Sequence, residues 1–559
     1  METRSKLKQG DFMTSISGTH WLDYDIRDLT MSKVLAKQVR ERPDKIYIRT
    51  TGGETMTYAE TDVATNRIVN WLRSHGVSDD THVAVMMENS SAGLLTMIAL
   101  AKAGLVGVPI NVNARGPQLT HYLNLSDASW IVADAPFAGQ IAEIAGEVPK
   151  LDTVILWGES VTVPGVRRTL DLAEWRSGSA APFENDSRHS DLAFILFTSG
   201  TTGLSKGVMF NQSRTFLWDE GVVSDLDVGG GDTYFAVTPL SHASGLFSGA
   251  FMMMAVGGTI AIAPRFSASR FWDEARATGA TFTTLLGAMV GFLESVPPTD
   301  GDADNPMRLI SAGPYPATWQ SFEERFGLKL VSGYGLSDHS SCTKLPIDAP
   351  PEKRGSAGKP IASYEMLIVD EEDMPVAPGV IGECLLRGRF PWRASMGYYK
   401  QPEAVLEARR NEWFHTGDSG YLDADGYFWY VGRKKDAIRR RGENISSFEV
   451  EQFVAMHPDV EQVAAYPLAA ELSEDEVAVS IVTTSAALDA PGLIRFCIEK
   501  MPDYMVPRFV HLTAELPRNL NQRVEKFRLV QWCNENRAEL WDREEDPALR
   551  RRARAKPPG

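Results

Sequence analysis

Along the first third of the chain, apolar residues come in short runs separated by polar, glycine-marked turns, and the runs alternate between two lengths. Residues 83–87 (VAVMM), 106–110 (VGVPI) and 130–133 (WIVA) are compact apolar runs of strand length. They predict strands buried on both faces. Residues 92–103 and 117–125 are longer and carry helical spacing. That alternation predicts stacked βα units around a mostly parallel sheet. A second group of β-rich segments, residues 365–370, 382–387 and 426–431, is joined by Asp- and Gly-rich turns, which predicts a smaller antiparallel subdomain. After a basic stretch at 432–442 the pattern restarts: helix 447–455, strands 460–466 and 476–483, helix 492–500.

The expected fold class is therefore α/β: a large N-terminal region of stacked βα layers plus a small antiparallel β subdomain, then a small mobile α+β C-terminal domain. The divisions expected are an extension at 1–30, the large domain at 31–432, the small domain at 433–535, and a partly disordered tail at 536–559 with a basic run near its end. One uncharged stretch, residues 245–264, reaches the length of a membrane span. Gly257-Gly258 divides it, so it reads as buried helix, turn and buried strand.

Bulk properties narrow the function. Hydrophobic residues make up 43% and charged residues 23% of the 559 positions, which places the chain among soluble globular proteins of several domains. A net charge of -16 repels polyanions, which argues against nucleic acid as a partner and leaves anionic ligands to local positive sites. The four cysteines are far apart, with no zinc or disulfide spacing, and the polar N-terminus lacks a signal-peptide core, so a cytoplasmic setting is expected.

The strongest local signal is Thr198, Ser199, Gly200, Thr201, Thr202 and Gly203, followed by Lys206 and Gly207, directly after a buried strand. Glycines let backbone approach phosphate, hydroxyls supply neutral donors, and Lys206 is a cation able to follow charge onto a leaving pyrophosphate. It is not a Walker A loop, because Gly207 stands where that loop has its magnesium-binding hydroxyl. It resembles the TSGTTGxxKG loop of the adenylate-forming superfamily, in particular its acyl-CoA ligases, and the resemblance runs from about residue 30 to 528. Tyr334, Gly335, Ser337 and Asp338 match the segment whose aromatic ring flanks adenine, whose hydroxyl meets the α-phosphate and whose carboxylate holds Mg2+. The segment at 311–314, with Gly313, is similar to the adenine-side loop. Asp418 matches the ribose-binding carboxylate and Arg433 the arginine at ribose or phosphate.

The resemblance implies ATP or acyl-AMP and CoA as ligands, a small-molecule carboxylic acid as substrate, and a C-terminal domain that swings between two half-reactions. Its hinge would be Lys435, its pantetheine tunnel would be lined by Gly442, and Arg439, Arg440 and Arg441 would meet CoA phosphates. Taken alone, these residues read equally as a solvated lysine, a turn and a basic surface. His242 stands at the family's gating position, with a buried structural histidine as the alternative. The small residues Gly287, Ala288 and Gly291 imply room for a bulky hydrophobic acid, such as a polycyclic terpenoid one, or simply close packing.

Two departures from the family pattern stand out. In residues 516–526 (LPRNLNQRVEK), Arg523 occupies the adenylation-lysine position and Gln522 that of the preceding glycine. A planar guanidinium does not reproduce a compact ammonium, so adenylation is expected to be weak or absent, with Lys526 a substitute at a different loop position. Asp338 is one methylene shorter than the usual Glu. The leading expectation is thus thioester formation from an acyl-adenylate, with a separate adenylating enzyme as supplier; the alternatives are a complete ligase and a non-catalytic nucleotide- or acyl-binding protein.

Overall fold

The computed structural model describes residues 22–550 apart from 80, 160, 199–204, 314, 317, 435–437, 441–442, 470–474, 486, 504 and 520–522, and apart from the side chains of 287, 288, 439, 443, 444 and 449. Two seven-stranded sheets dominate the large domain. The first runs in the order Arg168–Asp171, Thr153–Trp157, Ala128–Asp134, His82–Met86, Val106–Pro109, Leu192–Phe197, Gly207–Asn211, parallel except for the last strand. The second runs Lys329–Val331, Leu309–Gly313, Phe282–Leu286, Thr233–Ala236, Thr259–Ile262, Ile46–Thr50, Thr55–Thr57, again parallel to its final strand. The expected βα layering is borne out.

Helix Ser91–Lys102 explains how the layers stick together. It is apolar on every face, and all its residues from Ala92 onward are buried, as a helix between two packed surfaces must be. One core runs from Val83 and Phe194 of the first sheet through Ile98 to Tyr234 and Ile260 of the second. The chain near the N-terminus joins that core too, through Leu22, Tyr24, Ile26 and Leu29. The uncharged stretch beginning at Gly245 divides as expected: a widened helical run Ser244–Phe251 continues as Met252–Val256, stops at Gly257 with φ +73°, and turns into the strand Thr259–Ile262. Among the described residues no helix is long and apolar enough to cross a membrane.

The antiparallel subdomain holds Tyr364–Val369, Gly382–Gly388, Trp413–Leu422, Arg409–Arg410 and Phe428–Arg433 in one five-stranded sheet. Beyond it, the small domain has its own apolar clusters, centred on Val479, Ile481 and Leu493 and on Tyr466 and Leu516. Its sheet, Val460–Ala469, Asp475–Thr483, Phe509–Leu512 and Trp541–Asp542, corrects the expectation of a loose tail from 536. Trp541 pairs with Val510 and Asp542 with Phe509, and Arg543 is buried, bonding the Leu549 carbonyl and Asp503, so the chain to about residue 550 belongs to this domain. The signal was present as Trp541 in an otherwise charged segment.

Candidate active site

A cavity of about 1450 Å3 opens between the large domain and residues 518–530 of the small one. Asp418 stands on its large-domain side. It follows Gly417, which adopts φ +67°, and sits directly across the ladder from Arg433. Arg433 Nε lies 2.8 Å from Oδ1, and the Tyr334 hydroxyl donates to Oδ2 at 2.5 Å. The carboxylate is almost wholly buried, and burial together with Asp418 drives the Tyr334 phenol far above its usual range, so it stays a donor. Tyr334 is itself fixed by its N–H to Thr343 Oγ1 at 2.8 Å and by ring contacts with Phe428 and Tyr430.

Immediately after Tyr334 the chain makes a tight hairpin. Gly335–Leu336 pairs with Ser340–Ser341, leaving Ser337, Asp338 and His339 as a three-residue loop closed by Ser340 at φ +63°. That is a favoured hairpin geometry, with the residue after the loop in the left-handed region. Gly335 is required by the close return strand, since a Cβ there would stand 2.4 Å from the Ser340 carbonyl oxygen. The loop is braced from behind by Arg214, whose Nη2 donates to the Ser337 carbonyl at 2.5 Å. Asp338 is buried, and its Oδ1 has no hydrogen-bond partner among the described residues. Burial raises its carboxyl, against the opposing pull of the Tyr398 hydroxyl and of Arg214, Lys206 and Arg409. Lys206 Nζ hangs 4.6 Å over the Tyr398 ring, so this cation and the Asp338 carboxylate share one corner. A buried carboxylate oxygen without a hydrogen-bond partner among the described residues fits a magnesium ion, a hard cation that takes oxygen ligands. The phosphate loop closes the hairpin between Leu192–Phe197 and Gly207–Asn211, with Thr198 N–H donating to the Lys206 carbonyl at 3.0 Å; residues 199–204, including Ser199, Gly200, Thr201, Thr202 and Gly203, lie outside the described residues.

His242 lies just before the helical run Ser244–Phe251. Its Nδ1 lies 2.9 Å from Ser244 Oγ and accepts from the Ser244 N–H at 3.3 Å, which puts the ring proton on Nε2. Burial, and then the charge of Arg523, push its pKa down to about 4. Arg523 therefore lies close enough to act on His242. It also senses Arg433, Tyr430 and Asp418, and burial lowers its own pKa. Arg523 is one of the residues that line the cavity. The Arg523 backbone is tied within its turn, its N–H donating to Asn519 Oδ1 at 3.0 Å and its carbonyl accepting from the Asn519 N–H at 2.8 Å. Lys526 also lines the cavity, bonding Ser447 Oγ at 2.9 Å and Glu451 at 2.7 Å on the small domain's own helix.

Several other expected residues fall differently. Gly313 edges the cavity, and open space surrounds the position of a Cβ. Gly291 is exposed and does not contribute to the cavity wall, where Met289 and Phe292 of its helix and Leu286 at the end of the preceding strand stand instead. The side chains at Gly287 and Ala288 lie outside the described set. Arg440 is corrected outright. It is buried, paired with Glu476 and bonded to the Val506 carbonyl, because the Ile438–Arg440 strand turns it into the small domain; it is not a surface cation for CoA. Lys435, Arg441, Gly442 and the Arg439 side chain lie outside the described residues. Two buried ionisable residues of the large domain escaped the sequence reading: Asp219 and Lys344. Each stands in an apolar or small-residue setting (Phe-Leu-Trp-Asp, Ser-Cys-Thr-Lys-Leu), the one signal that marks a charge built into a core.

The AMP-binding enzyme family matches residues 35–399, and the AMP-binding enzyme C-terminal domain matches residues 449–523. A crotonobetaine/carnitine–CoA ligase of Salmonella heidelberg is 30% identical over 481 residues, 85% of this chain and 92% of its own length. The corresponding ligase of Salmonella paratyphi A is 29% identical over 480 residues, with the same coverage of 85% and 92%. Among solved structures, the anthranilate CoA ligase AuaEII in complex with anthranoyl-AMP superposes with a TM-score of 0.83 at 24% identity, covering 92% of this chain and 99% of that one. O-succinylbenzoate coenzyme A synthetase from Bacillus subtilis, in complex with AMP, superposes with a TM-score of 0.76 at 25% identity, covering 89% and 97%. With both family domains in order and a nucleotide-sized cavity between them, the chain belongs to the AMP-binding enzyme family and is an adenylate-forming acyl-CoA ligase, an acid–thiol ligase.

Proposed function

We propose that this ligase forms an acyl-CoA thioester from an acyl-adenylate and CoA, and that its ATP-dependent adenylation of the free acid is weak or absent. The observation that carries this reading is that Arg523 lines the same cavity as Asp418 and Arg433, at the position where the family's lysine would neutralise both the substrate carboxylate and the α-phosphate. Guanidinium is planar and larger than ammonium, and Arg433 already occupies the cavity beside it. Loss of a well-placed donor to a developing charge costs on the order of 100 to 1,000-fold.

The second half-reaction asks for other groups. The CoA thiolate adds to the acyl carbonyl, and the tetrahedral intermediate collapses as its carbon–oxygen bond breaks, the electron pair leaving with AMP. Asp418 accepts the ribose hydroxyls, Tyr334 and Gly313 flank adenine, Ser337 and the loop from Thr198 to Lys206 hold the phosphate, and His242 gates the acyl carbonyl. Positioning dominates such a reaction, since no protein nucleophile is needed. Asp338 is the residue for Mg2+, which shields phosphate charge when ATP is bound. The hinge at Lys435, the pantetheine tunnel at Gly442, and CoA phosphate contacts at Arg439 and Arg441 complete the proposal. A separate adenylating enzyme would supply the intermediate. The compartment we propose is the cytoplasm, in keeping with four free, buried thiols.

The acid is bulky and mainly hydrophobic in this reading, supported by the apolar cavity wall of Phe266, Leu286, Met289 and Phe292. Crotonobetaine and carnitine, named for the relatives, belong in the first acid panel. A complete ligase remains the second reading, because Arg523 keeps a positive charge in the cleft. One assay separates the two: thioester formation from ATP plus acid, run beside formation from presynthesised acyl-adenylate. The split reading expects product only from the adenylate; equal rates from both would replace it with the complete ligase.

A further inference from the structure

Behind the hairpin that carries Ser337 and Asp338 lies a fully buried arginine. Arg214 stands in the short turn Ser213–Thr215 that follows the strand Gly207–Asn211, its backbone N–H donating to Asn211 Oδ1 at 3.0 Å. Its guanidinium carbon lies 4.0 Å from the centre of the Phe210 ring and 5.8 Å from the Trp218 ring. Burial pulls its pKa down to about 10, so it is a cation at neutral pH. Among the described residues its Nε and Nη1 have no hydrogen-bond partner, while Nη2 donates to the Ser337 carbonyl at 2.5 Å. A cation among rings is costly to bury, and an apolar side chain would fill the same space without that cost. What the arginine adds is a short, charge-assisted bond to one backbone carbonyl of the loop.

That bond is one of several that hold the loop from outside. The Ser341 N–H, just past the loop, donates to the Trp218 carbonyl at 3.1 Å, and the Asp338 carbonyl accepts from the Ser395 N–H at 2.8 Å. Residues 210–218 thus grip the hairpin at Ser337 and at Ser341. The same segment begins on the strand that leads out of the phosphate loop past Lys206. The hairpin itself opens on Tyr334 and Gly335, which line the cavity. We propose that Arg214 is a positioning residue for the phosphate side of the site: it fixes the Ser337 carbonyl and thereby sets the Ser337 hydroxyl and the Asp338 carboxylate relative to the loop that ends at Lys206. It touches no ligand itself. This rests on the assignment of Ser337 to phosphate and Asp338 to Mg2+ made above, and names the residue that holds both in place.

The test is equilibrium binding to the full-length protein of three ligands that differ in what they ask of the loop: adenosine, AMP, and ATP with Mg2+, with no acid present. Adenosine relies on Asp418 and Tyr334, AMP adds the phosphate at Ser337, and Mg2+-ATP adds Asp338. Arg214→Met keeps an apolar chain in the aromatic cage. It should leave adenosine unchanged, weaken AMP, and weaken Mg2+-ATP most, by about 10-fold or more, the scale of a hydrogen bond from a charged group. Arg214→Lys, which keeps the cation and a donor, should recover most of that loss. Equal weakening of all three ligands, or of none, overturns the proposal, because an arginine that only supports the fold distinguishes none of them. Should Arg214→Met not fold, Phe210→Leu loosens the arginine through its nearest ring and should give the same order at smaller size; a flat response there overturns the proposal as well. Ser337→Ala and Asp338→Asn keep two failures apart. If these weaken AMP and Mg2+-ATP while the Arg214 variants do not, the positioning role alone falls. If they leave both ligands unchanged, the phosphate assignment falls and the positioning role with it. Binding needs no turnover, so the result is independent of which half-reactions the enzyme performs.

Discussion

On the large-domain wall of the cavity, Asp418 is held by the Tyr334 hydroxyl, by Arg433 across a strand ladder, and by the turn at Gly417. On the small-domain wall, Arg523 is held by backbone bonds within its own turn, and its guanidinium makes no hydrogen bond to a described residue. The first wall is preorganised, in that its groups are in place before a nucleotide arrives. The second is brought in by a separate folding unit with its own core. Substitution on the two walls should therefore differ in kind: a change on the fixed wall alters binding of every adenylate, while a change on the delivered wall alters one half-reaction.

The largest effect should come from the delivered wall. Arg523→Lys, combined with Gln522→Gly, should raise ATP-dependent adenylation by on the order of 100 to 1,000-fold, read as pyrophosphate release, with little change in thioester formation from acyl-adenylate. Equal gains in both half-reactions would mean that position 523 serves general binding, and the contrast between the walls would fail. Next comes the fixed wall. Asp418→Ala should weaken AMP or a sulfamoyl-adenylate by about 1.5–3 kcal/mol in calorimetry, the scale for hydrogen bonds to a charged group. Unchanged affinity would take Asp418 out of the ribose contact. Tyr334→Phe is gentler: it removes one hydrogen bond to Asp418 while keeping the ring, and should cost about 0.5–1.5 kcal/mol in the same measurement. A loss equal to that of Asp418→Ala would show that the phenol, not the carboxylate, is the main ribose contact.

How far the sequence reached follows the same division. The parallel layers were legible because their strands are short apolar runs broken by glycine, and the helix between them is apolar all round. The residues expected at the nucleotide lie in motifs that fix local backbone: Ser337 and Asp338 ride a three-residue hairpin loop, and Asp418 follows a glycine at positive φ. Arg440 misled because a run of three arginines reads as surface, whereas strand alternation turns the middle one toward Glu476. The segment past 535 misled because its charge hides one short strand, anchored by Trp541. Asp219 and Lys344 were missed for a different reason. They lie 125 residues apart in the sequence, and only the fold packs the helix Glu220–Ser224, which follows Asp219, against the strand Thr343–Lys344.

The smallest effect concerns pH and touches both walls, because His242 belongs to the large domain while the charge that acts on it, Arg523, belongs to the small one. Burial is the larger cause of the depressed pKa of about 4, and Arg523 the second. The folded protein thus keeps His242 neutral, while the unfolded chain binds its proton near the ordinary value of about 6.5. The sign follows: the contribution of neutral His242 to stability is fully present above pH 6.5 or so and is lost as pH falls toward 4, where the unfolded chain gains a proton that the folded one resists. Between about pH 6 and 8 the imidazole stays neutral, and kcat/KM for thioester formation should show no limb from it. Arg523→Gln should then raise the His242 pKa without restoring it fully, since burial remains. Ring carbon NMR shifts followed from pH 3 to 8 read this directly. An upward move in the variant ties Arg523 to the cleft in solution, whereas an unmoved midpoint means the small domain spends its time with another face toward the site.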